Sequence, residues 1–266
     1  MRRLLRAPNP GPMTLEGTNT WLVGARRVLV VDPGPADDGH VDQVLAEVAR
    51  DGGRLGAVLL THRHHDHSDA LTHPVLRRAV EAARVPVLAL DGSLGAAPDP
   101  LTLATACDEP VRVLPLPGHT DDSLGLVLPE RREVCTGDTV LGRGTSVVAH
   151  PDGDLTSYLA SLTLLQDLVA DGPWVGLPGH GPVVADLAPV LVQLVQHRRS
   201  RIGQVVRALR SLGRSDLEGA AADDRLVDDV VGLVYPELTD PVLLGAAGRT
   251  VRATLVHLQH AGGVDR

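Results

Sequence analysis

The stretch Thr61-His62-Arg63-His64-His65-Asp66-His67 determines how this chain is interpreted. It follows the apolar run Ala57-Val58-Leu59-Leu60, which indicates a buried strand. His62 and His64 alternate as at the end of a strand, so both rings can reach one ion, while Asp66 and His67 can face a second ion. Imidazole nitrogen and carboxylate oxygen bind zinc and similar divalent metal ions at about 2.0–2.2 Å. A lone surface histidine is usually just solvated, but this cluster predicts a metal site.

There are three further candidate ligands, His119, Asp138 and His180. Each follows a short predicted strand and lies beside a glycine that allows a tight turn. Taken singly, each would be a structural turn residue. Taken together with the first motif, they complete two coordination spheres. The predicted sets are His62, His64 and His119 for one ion, Asp66, His67 and His180 for the other, and Asp138 bridging both.

These motifs resemble the metallo-β-lactamase superfamily, whose members carry His-x-His-x-Asp-His, a later His, a bridging Asp and a final His. The resemblance covers roughly residues 14–182. It implies an α/β fold, the αββα sandwich. Asp32, in Val30-Val31-Asp32-Pro33-Gly34, matches the early aspartate of the family, which orients a metal ligand from behind. The alternative for Asp32 is a simple strand-ending turn.

A narrower resemblance points to the β-lactamase-like protein 2 branch. Residues 9–24, which include Gly17-Thr18-Asn19-Thr20-Trp21, are similar to its opening, and Pro178-Gly179-His180-Gly181-Pro182 followed by His197-Arg198-Arg199 is similar to its later segments. Better-known members of the branch cleave single-stranded RNA, and their relatives include thioesterases. The resemblance implies a catalytic domain at 1–186 and a small helical, winged-helix-like module at 187–266.

The implied activity is that of a binuclear metal-dependent hydrolase using a metal-bridging hydroxide, with Asp66 and Asp138 as catalytic carboxylates. The leading hypothesis is an endoribonuclease-like phosphodiesterase acting on single-stranded RNA. The alternative is a thioesterase or acyl hydrolase, with glyoxalase II-like or carrier-protein thioesterase-like chemistry. Two Zn²⁺ ions are the expected cofactors, and Mn²⁺ or iron would also suit such ligands. A non-enzymatic protein on a degenerate scaffold is disfavoured by the complete ligand set.

Charge and composition bear on the choice of substrate. The formal net charge is −8 and aromatic residues make up 2% of the chain, which disfavours generic nucleic-acid binding and base stacking. Arg198, Arg199 and Arg201 on a predicted helix are the candidate substrate contacts, because guanidinium groups pair with phosphate. The alternative for these arginines is a solvated helix face.

Hydrophobic periodicity divides the chain into alternating elements. The predicted strands are 20–24, 27–32, 54–61, 85–90, 111–114, 124–128 and 133–136, and the predicted helices are 37–50, 70–83, 155–169, 189–212, 225–235 and 241–259. Asp69 is expected to cap the second helix, and the alternative is that its carboxylate tunes the affinity for the metals. His150 is a surface loop residue or a proton donor to a leaving group. Cys135 is expected in the core.

Two cysteines are too few for a disulfide framework, and no apolar run approaches the roughly 20 residues of a membrane span. We therefore expect a cytoplasmic protein without a membrane partner. Its oligomeric state is open, with a homodimer as one option.

Overall fold

The computed structural model describes residues 2–262. Its strands are β1 (Arg2–Arg6), β2 (Asn19–Val23), β3 (Arg27–Val31), β4 (Arg54–Leu59), β5 (Val87–Leu88), β6 (Arg112–Pro115), β7 (Leu124–Leu128), β8 (Glu133–Gly137) and β9 (Val175–Pro178). Its α-helices are α1 (Asp38–Ala49), α2 (His65–Ser68), α3 (Pro74–Ala83), α4 (Pro100–Ala106), α5 (Leu155–Leu168), α6 (Leu187–Ser211), α7 (Asp224–Val234) and α8 (Pro241–His260). Over these residues, no helix has both the length and the apolar character that a bilayer crossing requires.

The contacts divide the chain into two units. The first comprises the residues up to Leu116, Asp122–Gly144 and Asp171–Leu187, and the second comprises Pro117–Asp121, Thr145–Ala170 and the residues from Ala188 onward. The division is therefore discontinuous in sequence. The predicted domain boundary at 186/187 stays a prediction.

The first unit contains two sheets. One has the strand order β1-β2-β3-β4-β5, antiparallel from β1 to β3 and parallel from β3 to β5. The other has the order β6-β7-β8-β9, with only β8 and β9 parallel. Strands β4, β8 and β9 each lead directly into a candidate metal-binding segment. Loops that follow strand ends are held in place by the sheets, which suits a precise site.

One apolar core joins the inner faces of these two sheets. It contains Val31 and Leu59 from the first sheet and Leu126 and Leu177 from the second, and Cys135 lies within it as predicted. Alternation along each strand sends the other side chains outward. On the outer face of the first sheet, residues such as Val30 and Val58 pack against α1 and α3. The two packed sheets expected from the resemblance, with helices on the outer face of the first sheet, are thus present in this unit.

The second unit is helical and has a core of its own. Leu209 on α6, Val230 on α7 and Val251 on α8 are buried together in one cluster. Among the described residues after 187 there are helices but no strand, so the helical C-terminal module is confirmed. Its winged-helix-like character stays a prediction.

Several elements and one cap differ from the sequence-based predictions. Strand β1 and helices α2 and α4 were not predicted, and the helix predicted at 70–83 begins only at Pro74, after a 3₁₀ turn over Asp69–Thr72. The capping role predicted for Asp69 is wrong. His73 is the N-cap of α3 and accepts from the Val75 N–H, whereas the Asp69 carboxylate lies 2.8 Å from His65 Nδ1.

Candidate metal centre

The first motif lies where β4 ends and the short helix α2 begins. His62 and His64 are in the connecting segment, and the His62 Nε2 and His64 Nδ1 atoms are 3.1 Å apart. The Ser68 hydroxyl donates to the carbonyls of Arg63 and His64, which fixes the turn into α2. When both rings are neutral, His62 Nε2 and His64 Nδ1 can each offer a lone pair to the same metal ion.

A second group of donors is formed by Asp66, His67 and His180. The Nε2 atoms of His67 and His180 are 3.2 Å apart, and Asp66 Oδ2 lies 3.0 Å from His180 Nε2 and 3.6 Å from His67 Nε2. Their ligand atoms all lie within 4.8 Å of one another. This is the trio that the sequence assigned to the second ion.

Asp138, at the end of β8, lies between the two groups. Its Oδ1 is 3.5 Å from His67 Nε2 and its Oδ2 is 3.4 Å from His180 Nε2. It also forms a candidate metal-holding group with His62 and His67. A carboxylate with two oxygens placed in this way can contact two ions at once, which is the bridging role predicted for it.

Asp32 orients this cluster from behind. Its carboxylate accepts from the Thr61 N–H and hydroxyl, each at 2.7 Å, and from His67 Nδ1 at 2.9 Å. The Thr61 hydroxyl also lies 3.1 Å from His62 Nδ1. Because that hydroxyl donates to Asp32, it can only accept from His62 Nδ1–H. Nδ1 of both imidazoles therefore bears a proton, and Nε2 of both is turned towards the cluster.

Thr61 contacts both Asp32 and His62, a role that the sequence alone did not single out. A hydroxyl at the last position before the first histidine was the available signal. Thr20 contacts Asp32 in turn. Its hydroxyl donates to the Asp32 carbonyl at 2.6 Å and lies 2.9 Å from Nε2 of the buried His40. Asp32 has a left-handed backbone with φ of 52°, a conformation that aspartate tolerates better than most residues.

Gly179 allows β9 to pass close to the cluster. A Cβ atom at this position would lie 2.4 Å from Asp138 Oδ1 and 2.7 Å from His67 Cε1. Neither contact is sterically tolerable. The glycine beside His180 is therefore required by close approach rather than by the turn alone.

The carboxylates of the cluster raise the pKa values of His67 and His180. Burial lowers the pKa of His67, but the carboxylates of Asp32, Asp138 and Asp66 outweigh it and raise the pKa to about 9. Burial likewise opposes the protonated form of His180, yet Asp138 and Asp66 raise its pKa to about 10.

The carboxylates shift in the opposite direction. Burial would raise the pKa of Asp138, but His180 and His67 hold it well below the usual range. The pKa of Asp66 is also lowered, because His67 and His180 outweigh its burial. Anionic oxygens and imidazoles packed this tightly need a shared cation or shared protons.

His119 belongs to the second unit and follows β6 in the chain. Its Nδ1 donates to the Val147 carbonyl at 2.7 Å and lies 3.2 Å from the Ser146 hydroxyl. Only Nε2 is then left to bind a metal, as for His62 and His67. Its assignment to the first ion stays a prediction.

The predicted substrate contacts are dispersed. Arg199 is exposed, whereas Arg198 is only 4% exposed and stacks over the Tyr158 ring at 4.8 Å, and Arg201 is half-buried over the Tyr235 ring at 4.6 Å. The three arginines therefore do not form one exposed track on α6. The backbone N–H of His150 bonds to the Arg249 carbonyl at 3.3 Å, within the second unit, and its catalytic role stays untested.

The family comparison agrees with this geometry. The model of the metallo-beta-lactamase superfamily matches residues 13–180. A protein named atrochrysone carboxyl ACP thioesterase from Aspergillus fumigatus is 34% identical over 252 residues, covering 87% of this chain and 74% of that protein. A protein named beta-lactamase-like protein 2 homolog from Caenorhabditis elegans is 28% identical, covering 76% of this chain and 68% of that protein.

A solved structure shares the fold. The beta-lactamase domain protein from Burkholderia ambifaria superposes with a TM-score of 0.75 at 22% identity, covering 98% of this chain and 86% of that one. The predicted fold class and the predicted family resemblance are thereby confirmed. The chain belongs to the metallo-beta-lactamase superfamily and is a metal-binding hydrolase of that family.

Proposed function

We propose that this protein hydrolyses thioesters of acyl groups held on a carrier. The observation that carries the proposal is the 34% identity, over 87% of the chain, to a protein named as an acyl-carrier thioesterase. A second protein of that name, from Aspergillus chevalieri, is 33% identical over 98% of the chain. The thioester alternative from the sequence analysis thus has better support than the RNA hypothesis.

The donor set suits a pair of divalent cations. It consists of imidazole nitrogens and carboxylate oxygens alone, the ligands that zinc, manganese and iron share. Asp66, His67 and His180 would hold one ion, His62, His64 and His119 the other, and Asp138 both. Bound cations would polarise the thioester carbonyl and acidify water. Two Zn²⁺ ions are our proposal, with Mn²⁺ or iron as the alternatives.

The side chains of the cluster divide the remaining work. Asp66 is half-buried and ionised, so it can accept a proton from the attacking water. The water oxygen forms a bond to the carbonyl carbon, the carbon–sulfur bond breaks, and the proton taken from water is returned to the thiolate that leaves. Asp32 and Thr61 keep the imidazoles in the tautomer that this arrangement needs.

Cleavage of single-stranded RNA is the second candidate. Its support is the 28% identity to the beta-lactamase-like protein 2 homolog, together with the branch resemblance of the motifs. The net charge of −8, the burial of Arg198 and the half-burial of Arg201 favour an acyl substrate instead. A cytoplasmic location is part of the same proposal for either substrate.

One experiment separates the two functions. Full-length protein loaded with zinc is assayed with a panel of acyl-thioesters and with unstructured RNA, beside its Asp138→Ala variant. We expect thioester turnover that disappears in the variant, and intact RNA. RNA cleavage lost in Asp138→Ala, with inert thioesters, would overturn the proposal in favour of the second candidate. Metal analysis of the same preparation measures the number and identity of the ions.

A further inference from the structure

The second unit contains a cavity of about 230 Å³ that none of the sequence motifs predicted. Its cationic wall comes from α6 and its apolar wall from α8 and the segment before α5. The residues that matter are Arg198, Arg201, His197, Val147, Leu243 and Ala246. Clefts for whole small molecules usually measure about 300–1,000 Å³. A space of this size suits one end of a ligand or a short chain.

The guanidinium of Arg198 is the most buried charge in this wall. The side chain is 4% exposed, stacks over Tyr158 and donates through Nη2 to the Ser146 carbonyl. Its Nε is buried and has no hydrogen-bond partner among residues 2–262. A buried donor on a cation is costly to leave unsatisfied, so this N–H indicates a missing acceptor.

Arg201, one turn along α6, adds a second positive charge. Its Nη1 donates to Gln204 Oε1 at 2.7 Å and is 3.4 Å from the Val234 carbonyl, and both acceptors are neutral. Within the described part of the chain, no carboxylate forms an ion pair with Arg198 or Arg201. Two guanidinium groups therefore line one cavity without a counter-ion, although removing such charges from water is unfavourable unless an anion compensates them.

The remaining wall restricts what that anion can be. It carries no charged side chain: Val147, Leu243 and Ala246 are apolar, and its polar side-chain groups are the hydroxyls of Thr145, Ser146, Tyr235 and Thr250. A ligand that satisfies the whole cavity carries an oxyanion at one end, where guanidinium groups can grip it, and an apolar chain at the other. We propose that this cavity is a binding site for a small amphipathic oxyanion, a carboxylate or phosphate ester on a short hydrocarbon body.

The same backbone serves both the cavity and His119. Ser146 accepts from Arg198 through its carbonyl, while its hydroxyl lies 3.2 Å from His119 Nδ1 and the next carbonyl, that of Val147, accepts from the same nitrogen. An anion bound to Arg198 would thus contact a side chain that is hydrogen-bonded to the segment that orients His119. The proposed anion binding does not depend on the identity of the substrate of the hydrolytic reaction proposed above.

Binding is tested by titration calorimetry on the full-length, zinc-loaded protein. The probes are hexanoate, hexyl phosphate and the neutral hexanol. We expect at least one of the two anions to bind with a dissociation constant ten or more times lower than that of hexanol, a factor of about ten being the worth of one charge-assisted hydrogen bond. The tighter of the two anions identifies the head group. Equal binding of hexanol would overturn the proposal, because the arginines would then contribute nothing.

Variants separate this cavity from the metal centre, which can also attract anions. Arg201→Gln removes one charge from a half-buried position, and Ala246→Met fills the apolar end while keeping both arginines. We expect each to weaken anion binding tenfold or more, whereas Arg207→Gln, an exposed arginine on the same helix outside this cavity, binds as the parent does. Unfolding temperatures of all three confirm that they are folded. Binding that is unchanged in both cavity variants would place the anion elsewhere and overturn the proposal.

Discussion

The Thr61 hydroxyl donates a hydrogen bond of 2.7 Å to the Asp32 carboxylate and lies 3.1 Å from His62 Nδ1. Since Asp32 also accepts from His67 Nδ1, one carboxylate fixes two imidazoles that the sequence assigned to different ions. One histidine of each predicted ion site, His62 and His67, is therefore oriented by a single buried side chain.

Thr61→Val keeps the shape of this side chain and deletes its hydroxyl. His62 then loses the acceptor that holds its ring, so we expect metal affinity to fall by ~10–100-fold, the usual effect of removing a partner of a metal ligand. Competition with a chromogenic chelator measures the change. Thr163→Val, at an exposed helix position where the hydroxyl bonds only to the Leu159 carbonyl, is the matched control. Equal metal affinity in the two variants would contradict the role given to Thr61.

Metal uptake should release protons. In the metal-free protein the pKa values of about 9 for His67 and about 10 for His180 keep both rings protonated at neutral pH. A histidine must be neutral to bind a metal, so loading near pH 7.5 should displace about two protons. Calorimetry in buffers of different ionisation enthalpy counts them. Heats that do not depend on the buffer would show that the rings are already neutral.

The stability of the metal-free protein should fall at high pH. Both histidines have folded-state pKa values above the ordinary 6.5, so their protonated forms stabilise the fold below about 6.5, and this contribution is lost as the pH rises through about 9 and about 10. We expect the urea midpoint of the chelated protein to decrease between pH 7 and pH 10. The metal-loaded protein is the control, because its imidazoles are neutral throughout and its midpoint should change less.

Gly179→Ala should damage the metal centre more than the fold. The new methyl group would meet Asp138 and His67 at 2.4 Å and 2.7 Å, so the bridging carboxylate must move. We expect loss of at least one equivalent of bound metal. Gly232→Ala, on α7 with nothing within 4 Å of the added carbon, should keep its metal and raise the free energy of unfolding by ~0.5–1 kcal/mol. Full metal content in Gly179→Ala would show that the backbone adapts.

Local patterns were sufficient to predict most of the fold. The strand 124–128 and the helix 155–169 are regular in sequence and reappear as Leu124–Leu128 and Leu155–Leu168. Strand β1 was missed because its Arg-Arg-Leu-Leu-Arg sequence has no period of two. It is stabilised by pairing with β2 and by long-range contacts, such as the ion pair of Arg2 with Glu133 at 3.4 Å, which no local rule contains.

The candidate site shows the same limit. Its histidines and aspartates were recognisable because their side chains have few purely structural uses in such spacing. Thr61 is chemically ordinary, and only the positions of Asp32 and His62 reveal what its hydroxyl does. Arg198 presents the opposite case: its charge suggested an exposed substrate contact, but stacking on Tyr158 buries it.

The position of Cys135 inside the core of the sandwich affects how readily its thiol reacts with oxidants and alkylating agents. Burial raises the pKa of the Cys135 thiol, and burial together with Asp108 raises that of Cys107, the other cysteine of the chain, to about 11. Thiolate, the form that alkylating agents and oxidants attack, is therefore scarce at both. The native protein should be handled without dithiol reductants, which would otherwise strip or scavenge the zinc being reconstituted.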